Sequence, residues 1–315
     1  MIRFLIKTSL VVSFSMISLL ILFYTGNKIV TKKADFRLNK EIKYIVIGHS
    51  HPECAFNDSL ISNFKNCSYS GESYFYGYPK IKNILLQNPQ LTTVFLEFTD
   101  NHLEKEVMND GIWGESHMFN FYPIYSPFIE QNDADLLLRK SGKDFLLAST
   151  ISIKNQFLKI ISSNYNFGKY SRYLYLIRDK TDSLVLQQEK SLENKSKIDV
   201  KADNDSNYNI IYLTKIVNLC LEKGIKVYLV RSPQHKMYRE QKNETLFEAA
   251  RLNYFKNIEF LDFNNCPFSN SEFGDLEHLN YRGAKKFSIW FNSLIKDGLL
   301  ESNNKQEFIN SRMMK

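Results

Sequence analysis

Ile42-Lys43-Tyr44-Ile45-Val46-Ile47 runs without a break into Gly48-His49-Ser50-His51-Pro52. A β-branched and aromatic run that stops on glycine reads as a buried strand ending in a tight turn. A serine on such a turn is carried to the start of the following helix, where backbone N–H groups and the helix dipole favour negative charge. The same pattern recurs further along. Thr92-Thr93-Val94-Phe95-Leu96-Glu97-Phe98 reads as a second strand and ends at Thr99-Asp100-Asn101-His102. Ile225-Lys226-Val227-Tyr228-Leu229-Val230 is a third, ending at Arg231-Ser232-Pro233-Gln234-His235. Ile258-Glu259-Phe260-Leu261-Asp262-Phe263 is a fourth, and Asp275-Leu276-Glu277-His278-Leu279-Asn280 follows it.

Helical patterns separate these strands. One covers 78–86 and stops before Asn88-Pro89; another covers 209–223 and is closed by Gly224; two more cover 244–254 and 281–294. Strands alternating with helices predict an α/β fold, a parallel sheet with helices on both faces. In such sheets ligands sit beyond the carboxyl ends of the strands, and every polar cluster above falls at one. A helical pattern at 59–64 and a short polar segment at 66–72 follow the first turn. Between 102 and 208 strand signals are sparse. Trp113, Phe119, Phe121, Tyr122 and Tyr125 cluster there, helical patterns run through 133–147, 151–161 and 169–176, and 187–207 reads as a mobile, charge-rich loop. The expected organisation is an anchor at 1–27, a linker at 28–41, the α/β domain at 42–300 with a helical insertion at about 102–208, and a polar tail at 301–315.

The anchor rests on one observation. Arg3 and Lys7 precede a stretch, residues 8–27, with no charged side chain, about the length that crosses a bilayer as a helix. Its serines are compatible, since a hydroxyl can bond back one turn within the helix. A cleaved signal peptide is the alternative, disfavoured because Tyr24-Thr25-Gly26-Asn27 offers no small-x-small cleavage site. Arg3 and Lys7 favour a cytoplasmic N-terminus, while Lys28, Lys32 and Lys33 oppose it.

A net charge of +7 predicts affinity for anionic surfaces. The basic residues are scattered among acidic ones, with no nucleic-acid-binding signature, so no nucleic-acid partner is expected. Cys54, Cys67, Cys220 and Cys266 lack CxxC or zinc-ligand spacing and read as buried apolar residues. His49, His51 and Glu53 suggest a metal site, since His-x-His puts two imidazoles on one side of an extended strand, but they fall in a turn and no second ligand pair is evident. No metal and no cofactor are expected.

Ser50 becomes a nucleophile if an imidazole takes its proton and backbone donors await the oxyanion. Asp275 and His278, three residues apart, can share one loop face, the carboxylate orienting the ring. His235 can line the same pocket, as can His49 and His51. Asn280 reads as the cap of the last helix.

Gly48-His49-Ser50-His51 resembles the first block of the SGNH (GDSL-like) hydrolases, and Asp275-Leu276-Glu277-His278-Leu279-Asn280 resembles their last. His49 stands where that family carries an aspartate. The resemblance spans about 42–295, apart from the central segment. It implies a flavodoxin-like three-layer sandwich, with Ser50, His278 and Asp275 as catalytic triad. It also implies an oxyanion hole from Ser50, Gly71 (in Tyr69-Ser70-Gly71-Glu72) and Asn101 (in Phe98-Thr99-Asp100-Asn101). With the anchor, the chain is similar to envelope proteins that add or remove acetyl groups on bacterial polysaccharides. The implied function is an extracytoplasmic serine esterase or O-acyltransferase acting on an acylated glycan or another small acyl ester, with a membrane acyltransferase as candidate partner. The rival readings are a lipid esterase whose insertion is a lid, and a non-catalytic accessory that binds glycan.

Overall fold

The computed structural model describes residues 1–100, 103, 111–192, 207–239 and 244–313. In chain order its elements are α1 (Ile2–Lys33), β1 (Tyr44–Ile47), α2 (Ser50–Ala55), β2 (Phe64–Asn66), α3 (Tyr74–Gln87), β3 (Thr93–Glu97), α4 (Glu115–Tyr125), α5 (Gln131–Lys140) and α6 (Gly142–Ser162). There follow α7 (Thr181–Leu192), α8 (Tyr208–Glu222), β4 (Lys226–Arg231), α9 (Lys236–Arg239), α10 (Glu244–Phe255), β5 (Glu259–Asp262), α11 (Tyr281–Lys296) and α12 (Lys305–Ser311). They form two compact units: Met1–Phe36 with Asp110–Phe167, and Arg37–Asn109 with Gly168–Lys315.

The second unit is the α/β body. Its five strands are all parallel, in the order β2-β1-β3-β4-β5. The four strands expected from sequence are neighbours as predicted. The fifth, β2, lies where a helical pattern was expected to give way to a polar segment. Its three residues, Phe64-Lys65-Asn66, are too few to show alternation. Backbone pairing makes it a strand: Tyr44 is in register with Phe64, and beyond the strand Cys67 N–H donates to Val46 O at 2.8 Å.

Alternation divides the sheet into two apolar faces. On one, Val46, Phe95, Tyr228, Val230 and Leu261 pack with Phe56, Phe64, Phe263, Phe287 and Phe291 into a single buried cluster. The Phe291 ring lies edge-on to Phe56, Phe64, Phe95 and Phe263 at centroid distances of 5.1, 5.9, 5.6 and 5.5 Å, so α11 is seated mainly by aromatic edges. The alternate residues Ile45, Val94, Leu96, Val227 and Leu229, equally buried, face the side of α3 and α8. Asn280 caps α11 as expected, accepting from Arg282 N–H and Gly283 N–H.

Four expectations along the chain are corrected. Residues 28–33 continue α1 rather than starting a linker. Residues 301–315 are not merely a polar tail: α12 buries Ile309 in the aromatic cluster. Nor is 169–176 a helix. After a 3-10 turn at Gly168–Tyr170 the chain runs extended across the α/β unit, Leu174 N–H donating to Glu53 O at 2.8 Å and Tyr281 N–H to Leu176 O at 2.9 Å. Tertiary pairing of an aromatic, β-compatible stretch wins there over a helical pattern. Residues 187–192, expected in a loop, are the end of α7, and 193–206 lie outside the described residues.

In the first unit α1 is long and apolar enough to cross a membrane; its most apolar window has a mean hydropathy of 2.1 and none of it is buried. Ser15 and Thr25 hydroxyls bond back to Val11 O and Ile21 O at 2.9 and 2.7 Å, so its polar residues cost the helix little. The last turns of α1 pack on α6, where Gly26 and Val30 are buried.

The aromatic cluster sets a stability test. Phe291→Ala should cost about 3–5 kcal/mol of unfolding free energy, the range for truncating a fully buried aromatic. Ile289→Ala, two residues away on the exposed side of the helix, should cost less than about 1 kcal/mol. Denaturation of the full chain in detergent reads both.

Candidate active site

The site begins with a steric constraint. Gly48 follows β1 and lies against Glu97, the last residue of the neighbouring β3. A Cβ at Gly48 would stand 2.5 Å from Glu97 Cβ and 2.7 Å from Pro52 Cγ, so only glycine lets the turn close. Glu97 is fully buried, and its carboxylate holds the turn from beneath: Oε2 accepts from His49 N–H at 2.8 Å, and Oε1 lies 3.0 Å from His51 Nδ1. From the other side Asn66, at the end of β2, donates to Pro52 O and Phe56 O at 2.8 and 2.9 Å and ties down the far end of α2. Ser50 is thereby fixed at the first position of α2, where backbone N–H groups have no partner within the helix.

His278 arrives from a loop built by its neighbours. Asp275 Oδ1 accepts from the N–H groups of Glu277 and His278, both at 2.8 Å, a turn that Asp side chains favour. The same carboxylate meets His278 Nδ1 at 2.8 Å, leaving Nε2 to reach Ser50 Oγ at 2.7 Å. Serine, imidazole and carboxylate thus form one hydrogen-bonded chain. The expected meeting of Ser50, His278 and Asp275 is what the structure places there, across a sequence separation of 228 residues.

Other expected residues fall differently. His51 is 2 % exposed, between Glu97 and Glu277, with its Nε2 3.4 Å from Glu277 Oε2 and its ring 5.1 Å from that of His278. It braces the site from behind rather than lining an open pocket. His49 stands at the turn, with Nε2 3.5 Å from Glu97 Oε1. His235 is buried against Phe273, with Nε2 2.9 Å from Asn270 Oδ1 and its N–H donating to Leu276 O at 3.0 Å; it supports the 270–276 loop. Gly71 has a φ of 73° in a turn where Glu72 N–H donates to Tyr69 O, and Tyr69 N–H in turn donates to Gly48 O at 3.1 Å. That places its loop beside the Ser50 turn. Asn101 lies outside the described residues.

Three charged residues that the sequence reading did not single out complete the electrostatics: Glu97, Glu277 and Arg178. Arg178, on the extended 171–180 segment, pairs through Nη2 with Asp275 Oδ2. Burial by itself lowers the His51 pKa, but hydrogen bonds and charge from Glu277 and Glu97 outweigh it and raise the group to about 9. Its hydrogen bond to His51 holds the Glu277 carboxyl below the usual range, against burial. His278 is pushed below the ordinary imidazole value, by burial first and then by the positive charges of His51 and Arg178, against the pull of Glu277 and Glu97. A neutral His278 can accept a proton from Ser50.

His49, His51 and Glu97 each offer a ligand atom within 4.8 Å of the others, enough for a small cation by distance alone. Both ring nitrogens of His51 already face carboxylates. The ion pairs account for the cluster as it stands. The four cysteines are buried and unpaired with one another, as the spacing suggested, and burial pushes the Cys54 and Cys220 thiols up to about 12.

The sequence model of one uncharacterised family matches residues 154–300, less than half of the chain. A search of curated proteins finds no match.

The two histidines should divide the pH dependence of stability. His51, with its folded pKa raised, contributes fully below about pH 6.5 and loses that contribution as the pH rises through about 9. His278, with its folded pKa depressed, costs stability as the pH falls below about 6.5. Unfolding free energy measured against pH should therefore decline on the alkaline side in the native chain and be flat there in His51→Asn. A native curve that is level from pH 6.5 to 9 would mean that His51 is not held charged.

Proposed function

We propose that the chain is a membrane-anchored, serine-dependent acyl-ester hydrolase or O-acyltransferase of the SGNH type, with its α/β unit outside the cytoplasm and an acylated envelope glycan or small acyl ester as substrate. The observation that carries the reading is the 2.7 Å contact between Ser50 Oγ and His278 Nε2, backed by Asp275 at 2.8 Å on the opposite ring nitrogen. Nothing local brings these groups together, and a buried imidazole kept neutral beside a hydroxyl at a helix start is the arrangement nucleophilic catalysis needs. The site's position adds support: Ser50 follows β1, whose neighbours β2 and β3 connect in opposite directions, the switch point where ligands bind in open parallel sheets.

In this mechanism Ser50 Oγ attacks the ester carbonyl as His278 Nε2 takes its proton. The tetrahedral intermediate collapses when the C–O bond to the leaving alcohol breaks and His278 returns the proton to that oxygen. Water, or a sugar hydroxyl, then attacks the acyl-serine, with His278 again acting first as base and then as acid. The acceptor alone separates hydrolysis from transfer. Asp275 fixes the ring and faces the imidazolium as it forms. The Ser50 N–H supplies one oxyanion donor, with Gly71 the second candidate beside the nucleophile turn.

Two outcomes check the proposal. A fluorophosphonate probe should label the full chain and fail to label Ser50→Ala, while His278→Ala lowers turnover of a short acyl ester by about 10³-fold or more. Unchanged turnover in both folded variants would reject the mechanism. The acid limb of kcat/KM should lie below the ordinary histidine value near 6.5, because His278 stays neutral there. His51→Asn should move that limb upward by removing the neighbouring positive charge, and a limb that stays in place would show that the His51 charge does not reach the base.

A further inference from the structure

Helix α6 has its polarity inverted. Its buried stripe is Ala148, Ser152 and Gln156, spaced four apart, whereas Leu146, Leu147, Ile151, Phe157, Leu158 and Ile161 are exposed. At 100° per residue these six fall within a sector of roughly 140°, opposite the packed stripe. The exposures are large: 62 % for Leu146, 61 % for Phe157 and 66 % for Ile161. The contacts of this stripe are polar or small, and the first turn adds one aromatic contact, Phe145 on Tyr122 of α4 with ring centroids 5.0 Å apart. Ser152 Oγ bonds Ser126 Oγ on the segment after α4, and Gln156 Nε2 bonds Asn27 Oδ1 on α1 and Ser152 Oγ at 2.8 Å. Gly26 on α1 leaves the space that the Gln156 side chain fills. Small residues and interhelical hydrogen bonds inside, aliphatic and aromatic side chains outside, is the pattern of helices whose surroundings are lipid rather than water.

The surroundings follow from α1. Contacts advance in the same sense along the two helices and the segments that follow them, from Asn27 with Gln156 to Asp35, just past α1, whose N–H donates to Tyr165 O, just past α6, at 2.9 Å. Residues 146–152 therefore run back beside the part of α1 that precedes Gly26, its apolar, exposed length. The exposed face of α6 is continuous with it. Lys143 and Lys154 are exposed on the same side, and long basic stems of this kind lie along apolar surface while the ammonium reaches anionic headgroups.

We propose that α6 is a second lipid-contacting helix, its outer face seated in the headgroup and acyl boundary of an anionic bilayer beside α1. The proposal rests on α1 as the membrane anchor. It makes the 110–167 region part of the membrane attachment instead of a lid over substrate.

The test uses the full chain in phospholipid nanodiscs containing an anionic lipid. The native cysteines are buried, so Leu147→Cys, Ile151→Cys and Leu158→Cys, one at a time, take a fluorophore selectively, with Leu20→Cys reporting on α1. Spin-labelled lipid should quench all four positions several-fold more than aqueous iodide does. Iodide quenching at α6 with lipid quenching at position 20 would overturn the inference and leave the anchor standing. Shielding of α6 from both quenchers would also overturn it, in favour of a protein partner or a second copy. Iodide quenching at position 20 as well would remove the anchor and the inference together.

Discussion

The carboxylate of Glu97 sits under a turn that only glycine can form. Gly48 closes over it, His49 donates its N–H to it, and His51 pairs with it in a fully buried setting. A buried carboxylate is expensive unless every lone pair finds a donor or a cation. The His49 N–H on one oxygen and the His51 ring beside the other hold the turn from Gly48 to Pro52, and with it Ser50. The same ion pair extends through His51 to Glu277, on the loop that carries His278. One network therefore registers the Ser50 turn against the loop that carries His278, although the two come from opposite ends of the α/β unit's sequence.

This arrangement has an electrostatic consequence. A charged His51 beside His278 would lower the affinity of the base for a proton, and Arg178 acts in the same direction while taking the second oxygen of Asp275. The carboxylate's attraction is divided between the guanidinium and the imidazole. In the proposed mechanism such an imidazole is a weak base that stays neutral well into the acid range, less driving force for proton transfer against a larger neutral fraction. The aromatic cluster on the other side of the strands supplies the stiffness on which this geometry rests, with Phe56 of the segment after α2 stacked against Phe64 and edge-on to α11.

The two units solve different solvation problems. The α/β unit buries aromatic and aliphatic residues against a parallel sheet and keeps its charges in ion pairs. The helical unit buries an aromatic set of its own, with Phe121, Tyr122 and Tyr125 of α4 among it, but its helix α6 buries alanine, serine and glutamine and presents leucine, isoleucine and phenylalanine outward. On α6 the exposed side chains are the apolar ones, the reverse of a helix packed on the sheet, and that inversion is what the proposed lipid contact explains.

By itself the sequence determined the features carried by consecutive residues. Four β-branched runs each ending on a polar cluster specify a parallel α/β sheet; Gly48-His49-Ser50 marks the turn; Asp275 and His278 share one loop because they are three residues apart; and an uncharged stretch behind two basic residues marks α1. Tertiary structure alone decided the rest. Phe64-Lys65-Asn66 is a strand only because β1 offers a free edge, and 171–180 is extended only because Glu53 and Tyr281 take its hydrogen bonds. Glu97 and Glu277 read as ordinary charges in a strand and a loop, and Arg178 as one basic residue among many. Their roles arise from burial and from partners dozens to hundreds of residues away, and the cost of removing charge from water depends on what surrounds it in space, which the order of residues along the chain does not encode.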